Sequence, residues 1–253
     1  MALSKLSGDE AGIVFVQLCN VLDPRIAVAL SSVSHELREP MLALLQQLRA
    51  DHEAAAALCH KVGMRSCKEL REARQVNWQN THLSLTDLAT LGSLGSVLPA
   101  LQQLILGYSG NSFDVQLDGA QRLAERLGTG ALPAVTHLAL WHMRVSDAGA
   151  SALAAALGRG VLPRLKLLAL ANAAISDAGL VALAPALRRL PALENLNLRN
   201  NSFGDVGVEA LVAPLPPPAG APPTPTAGLA KLQALRLKSV TTTLLAGSSW
   251  PTR

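Results

Sequence analysis

The feature that most constrains the fold of this chain is an internal repeat of leucines. Four segments open with Leu-Pro, at residues 98, 132, 162 and 190, and a weaker copy opens at Leu229, so that successive starts lie 34, 30, 28 and 39 residues apart. Each segment continues with Leu-x-x-Leu-x-Leu, filled by Leu101, Leu104 and Leu106; Val135, Leu138 and Leu140; Leu165, Leu168 and Leu170; Leu193, Leu196 and Leu198; and Leu232, Leu235 and Leu237. Alternate leucines predict a short strand with one buried face.

The second half of each unit repeats as regularly as the first. In three units a glycine follows the last strand leucine by nine residues, with further leucines four and eight positions later. These sets are Gly149, Leu153 and Leu157; Gly179, Leu183 and Leu187; and Gly207, Leu211 and Leu215. A spacing of four places the leucines on one helical face, and the Ser-Asp or Gly-Asp pair just before each glycine offers side-chain acceptors for the first turn. Each unit is therefore predicted to be a strand followed by a helix.

This pattern resembles the leucine-rich-repeat proteins of the ribonuclease-inhibitor type. The resemblance covers about residues 98 to 215 and implies an α/β fold: a solenoid with parallel strands inside and helices outside, here preceded by a small all-α module. The asparagine that the family places after each strand is matched only by Asn201. Ser109, Met143 and Ala173 occupy the equivalent positions, so most of a hydrogen-bonded asparagine ladder is expected to be missing.

The composition divides the rest of the chain. Residues 214 to 228 contain seven of the fifteen prolines, which predicts an extended loop. Val76-Asn77-Trp78 is predicted to be a capping strand, with a helix opening at Ser84.

No helical pattern follows Leu237, so either a poorly formed cap ends the array or the chain is a fragment of a longer one; the fragment is favoured. The predicted units are a helical module (1–40), connecting helices (41–75), the solenoid with its N-terminal capping repeat (76–215), the Pro-rich loop (216–228) and a degraded or truncated last repeat (229–253).

Residues 6 to 38 resemble an F-box. The resemblance rests on Leu6, Asp9, Glu10, Ile13, Phe15, Leu18, Leu22, Asp23, Pro24, Arg25, Leu30, Ser31, Val33, Leu37 and Arg38. Two features depart from the family: Ser7 stands where a proline is usual, and Ser34-His35-Glu36-Leu37 replaces the Cys-x-x-Trp near its end. The resemblance implies docking on a Skp-type adaptor of a cullin–RING ubiquitin ligase. An exposed apolar patch would serve that contact, and the candidate residues are Leu22, Pro24, Ile26 and Leu30.

Residues between the strand leucines are expected to line the concave face and to bind a protein partner. The candidates are Tyr108, His137, Trp141, His142, Lys166, Glu194, Asn197, Arg199, Arg236 and Lys238. Trp141 is the leading candidate, because tryptophan, tyrosine and arginine are the usual interface anchors and aromatic residues make up only 3% of this chain. Packing of Trp141 against Tyr108 and His142 is the alternative. Ala169 and Ala171 are expected to form a smooth area beside it.

Other classes of function find little support in the sequence. The net charge is only +4 and no run of lysine or arginine occurs, so nucleic-acid binding is not expected. Cys59, His60 and Cys67 lack zinc-site spacing, no catalytic motif is complete, and no long apolar run occurs. We expect no enzyme activity, no cofactor, no metal and no membrane span, and a cytoplasmic or nuclear location.

The two resemblances together imply a non-enzymatic protein-recognition module that acts as a substrate-binding adaptor of an SCF-type ubiquitin ligase. The first alternative is a leucine-rich-repeat scaffold or regulator without a ligase link, in which the N-terminal helices only cap the array. The second is a truncated product with little activity. The residues do not name the partner, because concave surfaces of this type bind by shape and by scattered polar contacts.

Overall fold

The computed structural model of the chain describes residues 20–26, 29, 35–107, 119–213, 229 and 231–237. Its helices are α1 (His35–Lys61), α2 (Cys67–Glu72), α3 (Leu85–Ser93), α4 (Gly119–Arg126), α5 (Ser146–Gly158), α6 (Asp177–Arg188) and α7 (Asp205–Val212), with a 3-10 turn at Leu94–Val97. Its strands are β1 (Gln75–Gln79), β2 (Gln103–Gly107), β3 (His137–Trp141), β4 (Leu167–Ala169), β5 (Asn195–Asn197) and β6 (Ala234–Arg236).

The six strands form one parallel sheet in the order β1 to β6. The predicted leucines stand in register, so that Leu104 pairs with Leu138, Leu138 with Leu168, and Leu168 with Leu196. β1 extends the sheet at the predicted capping strand, and β6 extends it at the weak fifth copy. The expectation of an α/β fold with parallel strands is therefore confirmed.

The core lies between the sheet and a layer of helices. Strand and helix leucines of each unit, such as Leu168 and Leu183, are fully buried in one continuous cluster. Neighbouring helices from α3 to α7 pack side by side in chain order. Each unit thus covers its apolar side with the next unit, as the spacing of the leucines predicts.

The capping helix begins where the sequence indicates. Ser84 forms a capping box with Asp87: the Asp87 N–H donates to Ser84 Oγ (3.2 Å), and the Ser84 N–H donates to Asp87 Oδ2 (2.7 Å). The pair satisfies two of the free donors at the start of α3.

The Ser-Asp pairs of the repeats act differently from the prediction. Ser176 does cap its own helix, since Ala178 N–H donates to Ser176 Oγ (3.2 Å), but Ser146 lies inside α5 and makes no capping bond. Asp147 instead accepts two bonds from Ser176 of the following unit, from its N–H (2.8 Å) and its hydroxyl (2.6 Å). Asp177 likewise accepts from Gly204 N–H (2.8 Å) and Gly207 N–H (2.7 Å). The carboxylates therefore connect neighbouring units.

Asn201 supplies the single rung of the asparagine ladder that the sequence predicts. Its side chain is 6% exposed. Oδ1 accepts from Ala173 N–H and Ile175 N–H (both 3.1 Å), while Nδ2 donates to Leu170 O (2.8 Å) and Leu198 O (2.9 Å). Met143 and Ala173 are buried apolar residues at the equivalent positions of the two preceding units.

The N-terminal part of the described chain packs on the long helix α1. The Nδ1 of His52 donates to Val21 O (2.6 Å), and Leu22 belongs to the same apolar cluster as the repeat leucines. Residue 40 lies inside α1, so a continuous helix crosses from the predicted module into the predicted connecting region.

Several expectations fall outside the described residues. These are most of the F-box-like segment, the Pro-rich loop at 216–228 and everything after Leu237. Within the described residues, no helix combines the length and the apolar character that crossing a bilayer requires.

Candidate functional site

The strand side chains that alternate with the buried leucines form a second sheet surface, which we call the open face. Register places them in rows across the strands. The first row is Gln75, Gln103, His137, Leu167, Asn195 and Ala234. The second row is Asn77, Ile105, Ala139, Ala169, Asn197 and Arg236. Trp141 ends β3 in a third row, and Ala171 and Arg199 hold the corresponding positions in the turns that follow β4 and β5.

The middle of the open face is apolar, whereas both ends are polar. Ala139 and Ala169 are buried, yet they lie outside the main core cluster, because neighbouring open-face side chains cover them. Trp141 is 37% exposed, and Leu167 beside it is partly buried. An aromatic residue standing above small residues leaves room for an apolar group of a partner.

That room is a recess of about 120 Å³ between Trp141 on one side and Arg236 on the other. Leu167, Ala169 and Ala234 supply its apolar surface, and the buried Leu196 lies beneath it. Asn195 and Asn197 add two amides to its lining. For comparison, an apolar protein cavity of roughly 150 Å³ holds a benzene molecule. The recess is therefore large enough for one aliphatic side chain, and we call it the Trp141 recess.

The charges around the Trp141 recess are mainly positive. Lys166 Nζ lies 3.1 Å from Glu194 Oε1, so these two charges compensate one another. Arg199 and Arg236 are exposed, and in the part of the chain that the structure describes neither of them forms an ion pair. The open face therefore offers guanidinium groups beside an apolar recess.

The predicted face residues divide into three groups. His137, Trp141, Asn197, Arg199 and Arg236 lie on the open face. Lys166 and Glu194 lie just before strands β4 and β5 and pair with each other. Tyr108 and Lys238 lie outside the described residues.

His142 does not lie on the open face, contrary to expectation. It adopts a left-handed backbone conformation (φ 52°) in the turn after β3, and its Nε2 lies 3.4 Å from Asn172 Nδ2. Asn80, Asn172 and Asn200 share this conformation at the equivalent turn position. Asparagine tolerates this conformation better than most residues, so the geometry of the turn accounts for the asparagines at this position.

Leu167 and Ala234 line the Trp141 recess but were not predicted from the sequence. Both are aliphatic, and an aliphatic residue in a leucine-rich strand suggests the core. The alternation that puts Leu168 inside was the signal that could have found Leu167 on the opposite face.

The predicted adaptor patch must be corrected at Leu22. This side chain is only 4% exposed and packs in the core, because the turn at Asn20–Asp23 folds it back onto the helices. Ile26 is 51% exposed and Pro24 is partly exposed, whereas Leu30 lies outside the described residues. Leu22 is therefore not available for a partner.

Charge pairs hold the same turn on its helices. The Arg25 guanidinium donates to both oxygens of Asp23 (2.7 Å each) and lowers the pKa of this carboxyl to about 2, with Arg71 adding to the effect from 3.7 Å. Asp23 is therefore ionised at neutral pH.

The cysteines of α1 and α2 belong to the core. Cys59 and Cys67 are buried free thiols, and burial raises the pKa of Cys59 to about 12, with Cys67 beside it adding to the effect. Metal binding needs the thiolate. Among the described residues no group of three metal-ligating side chains occurs.

The parallel array of strand–helix units and its open face define a class of protein. A family model described as "Leucine Rich repeat" matches residues 190–212, the segment that contains β5 and α7. Comparison with curated proteins gives no match. The matched segment and the fold together support a leucine-rich-repeat protein, a class of protein-interaction modules.

Proposed function

We propose that this chain is a non-enzymatic protein-recognition module that binds its partner on the open face of a curved leucine-rich-repeat solenoid. The observation that carries the proposal is the Trp141 recess: a partly exposed tryptophan beside an apolar lining, with Arg236 on the opposite side. Such a combination is typical of interface hot spots, where an aromatic anchor is surrounded by polar groups. The helix layer has single exposed apolar residues, such as Val181, and scattered residues of this kind are ordinary surface.

A photo-crosslinking experiment tests which face binds. We expect a photoreactive phenylalanine at Asn195, beside the recess, to capture a defined partner from cell extract. The same group at Val181 in α6, which is also on the surface, serves as the control. A second change, Trp141→Glu, should abolish the capture at Asn195 while leaving the circular dichroism spectrum unchanged. Capture from Val181 alone would contradict the proposal.

A second candidate function is that of a substrate-binding adaptor in an SCF-type ubiquitin ligase. The resemblance of residues 6 to 38 to an F-box supports it, as does the exposed Ile26 next to Pro24. Because Leu22 is buried, the contact with the adaptor would be made by the other predicted apolar residues, Pro24, Ile26 and Leu30. A scaffold without a ligase link is the alternative, in which the same helices only cover the end of the core.

The adaptor proposal predicts that Ile26→Asp weakens binding to purified Skp adaptor by at least about tenfold, since removing one apolar hot spot costs on the order of 2 kcal/mol. Isothermal calorimetry with the full chain measures this. Deleting residues 1–40 is a poorer test, because it removes Leu22 from the core and cuts α1. Val181→Asp, at another exposed aliphatic side chain, in α6, is the matched control. No binding by the folded wild-type chain would leave the scaffold as the function.

A further inference from the structure

We infer that the Trp141 recess is specific for an extended, acidic partner segment in which an aliphatic side chain and a carboxylate lie two positions apart. This inference rests on the proposed function and adds the chemistry of the partner. It depends on three observations: the size of the recess, the nature of its two sides and the unbalanced charge around it.

The first observation concerns size and lining. A recess of about 120 Å³ with Leu167 and Ala169 in its lining matches the size of an aliphatic side chain better than that of a large aromatic group. Trp141 covers one side of such a group, and burial of apolar surface against it supplies the main gain in free energy.

The second observation is the opposite side, which is polar. Arg236 lines the recess together with the amides of Asn195 and Asn197. The Asn197 Oδ1 accepts from the Arg199 N–H (3.2 Å), which directs its amide nitrogen away from that bond. Guanidinium and amide donors together favour a carboxylate, because guanidinium groups bind carboxylates in a planar, two-pronged geometry.

The third observation is charge. Arg199 lies in the turn after β5, two residues beyond Asn197, and Asn197 pairs with Arg236. The Leu198 N–H donates to the Arg236 carbonyl oxygen (2.9 Å), so Arg199 directly follows a residue that is hydrogen-bonded to Arg236. Glu194, the acidic residue on this side, is already paired with Lys166. A partner that brings no negative charge would leave both guanidinium groups without compensation, which opposes binding.

The spacing follows from the geometry of an extended chain. Side chains two positions apart point in the same direction and lie roughly 6.6 Å apart. An aliphatic group in the recess would therefore place a carboxylate two residues away near the arginine pair. The expected motif is aliphatic-x-acidic, read in either chain direction.

The experiment is a selection of random peptides displayed on phage against the immobilised full chain. We expect the selected peptides to be enriched in leucine, isoleucine or valine two positions from aspartate or glutamate. A synthetic peptide of the selected sequence should bind Arg236→Glu at least about tenfold more weakly, the usual effect of losing a charged hydrogen bond. A version of this peptide with lysine in place of the acidic residue should bind Arg236→Glu more tightly than it binds the wild type. Arg189→Glu, an exposed arginine in the helix layer, should leave both affinities unchanged.

The outcomes separate this inference from the proposed function. Suppose that the selected peptides lose binding with Trp141→Glu but contain no acidic residue, or that they bind Arg236→Glu as well as the wild type. Either result would overturn the acidic specificity and leave the open face as the binding site. Peptides indifferent to both changes, or no selected peptide at all, would overturn the specificity and the proposed function together. Circular dichroism of each variant, and Trp141→Ala as a milder change at the same site, exclude misfolding as the cause.

Discussion

Replacing Asn201 with leucine should lower the free energy of unfolding by about 4 kcal/mol, because four backbone groups of two units lose their partner at once. Ala173 N–H and Ile175 N–H donate to Oδ1, and Leu170 O and Leu198 O accept from Nδ2. All of these groups are buried, and leucine offers them neither a donor nor an acceptor. Urea denaturation followed by circular dichroism measures the change, with the slope of the transition checked for two-state behaviour.

Asn195→Leu is the matched control for this change. Asn195 is a partly exposed asparagine in the same unit, and the structure describes no hydrogen bond of its side chain. The same substitution should change stability there by no more than about 0.5 kcal/mol. If Asn201→Leu were as mild as the control, the amide would not be the connection between the third and fourth units that the hydrogen bonds indicate.

Gly179→Ala should destabilise the protein by about 3 kcal/mol, since one added methyl group has no room. A Cβ at this position would overlap Asp147 Oδ1 and lie 2.9 Å from Ile175 Cγ2 and 3.0 Å from the Asp147 Cα. The Cα is backbone, so α5 itself would have to move away. Asp147 would then lose its hydrogen bonds to Ser176. Thermal and urea denaturation should both show the loss.

Gly158→Ala distinguishes this effect from the general preference of helices for alanine. Gly158 ends α5, and nothing lies within 4 Å of a Cβ built there. Alanine should be neutral or stabilise by up to about 1 kcal/mol at this position. Equal effects of the two substitutions would show that the close approach of Asp147 to Gly179 does not hold in solution.

Most of the fold was predictable, because it depends on the spacing of leucines. The strand and helix of each unit, the capping strand at Gln75–Gln79 and the helix after Ser84 all follow from local patterns. The repeated glycines were also visible in the sequence, but the contact that requires a glycine at these positions was not. Gly179 and Gly207 are needed because a carboxylate of the preceding unit approaches their backbone, and a contact between units 30 residues apart leaves no local signal.

The candidate site was predictable only in part. Trp141, Asn197, Arg199 and Arg236 were found because alternation assigns them to the face opposite the leucines. Leu167 was missed because a leucine in a strand suggests the core. Leu22 was assigned to an exposed patch although its side chain is buried. An apolar residue in a short helical segment fits an exposed patch and a buried anchor equally well, and only the packing of its turn on α1 decides between them.

The bonds between Asp147 and Ser176, and between Asp177 and Gly207, have a consequence for how this gene can change its length. The third unit carries both halves of the joint: its Ser176 donates to Asp147 of the preceding unit, and its Asp177 accepts from Gly204 and Gly207 of the following one. Losing residues 150–179 as a block would bring Asp147 to the backbone at Gly204 and Gly207, where Asp177 now binds. This unit can therefore be lost or duplicated as a block with the same junction rebuilt, whereas a deletion that removes one half of the joint leaves partly buried N–H donors without an acceptor.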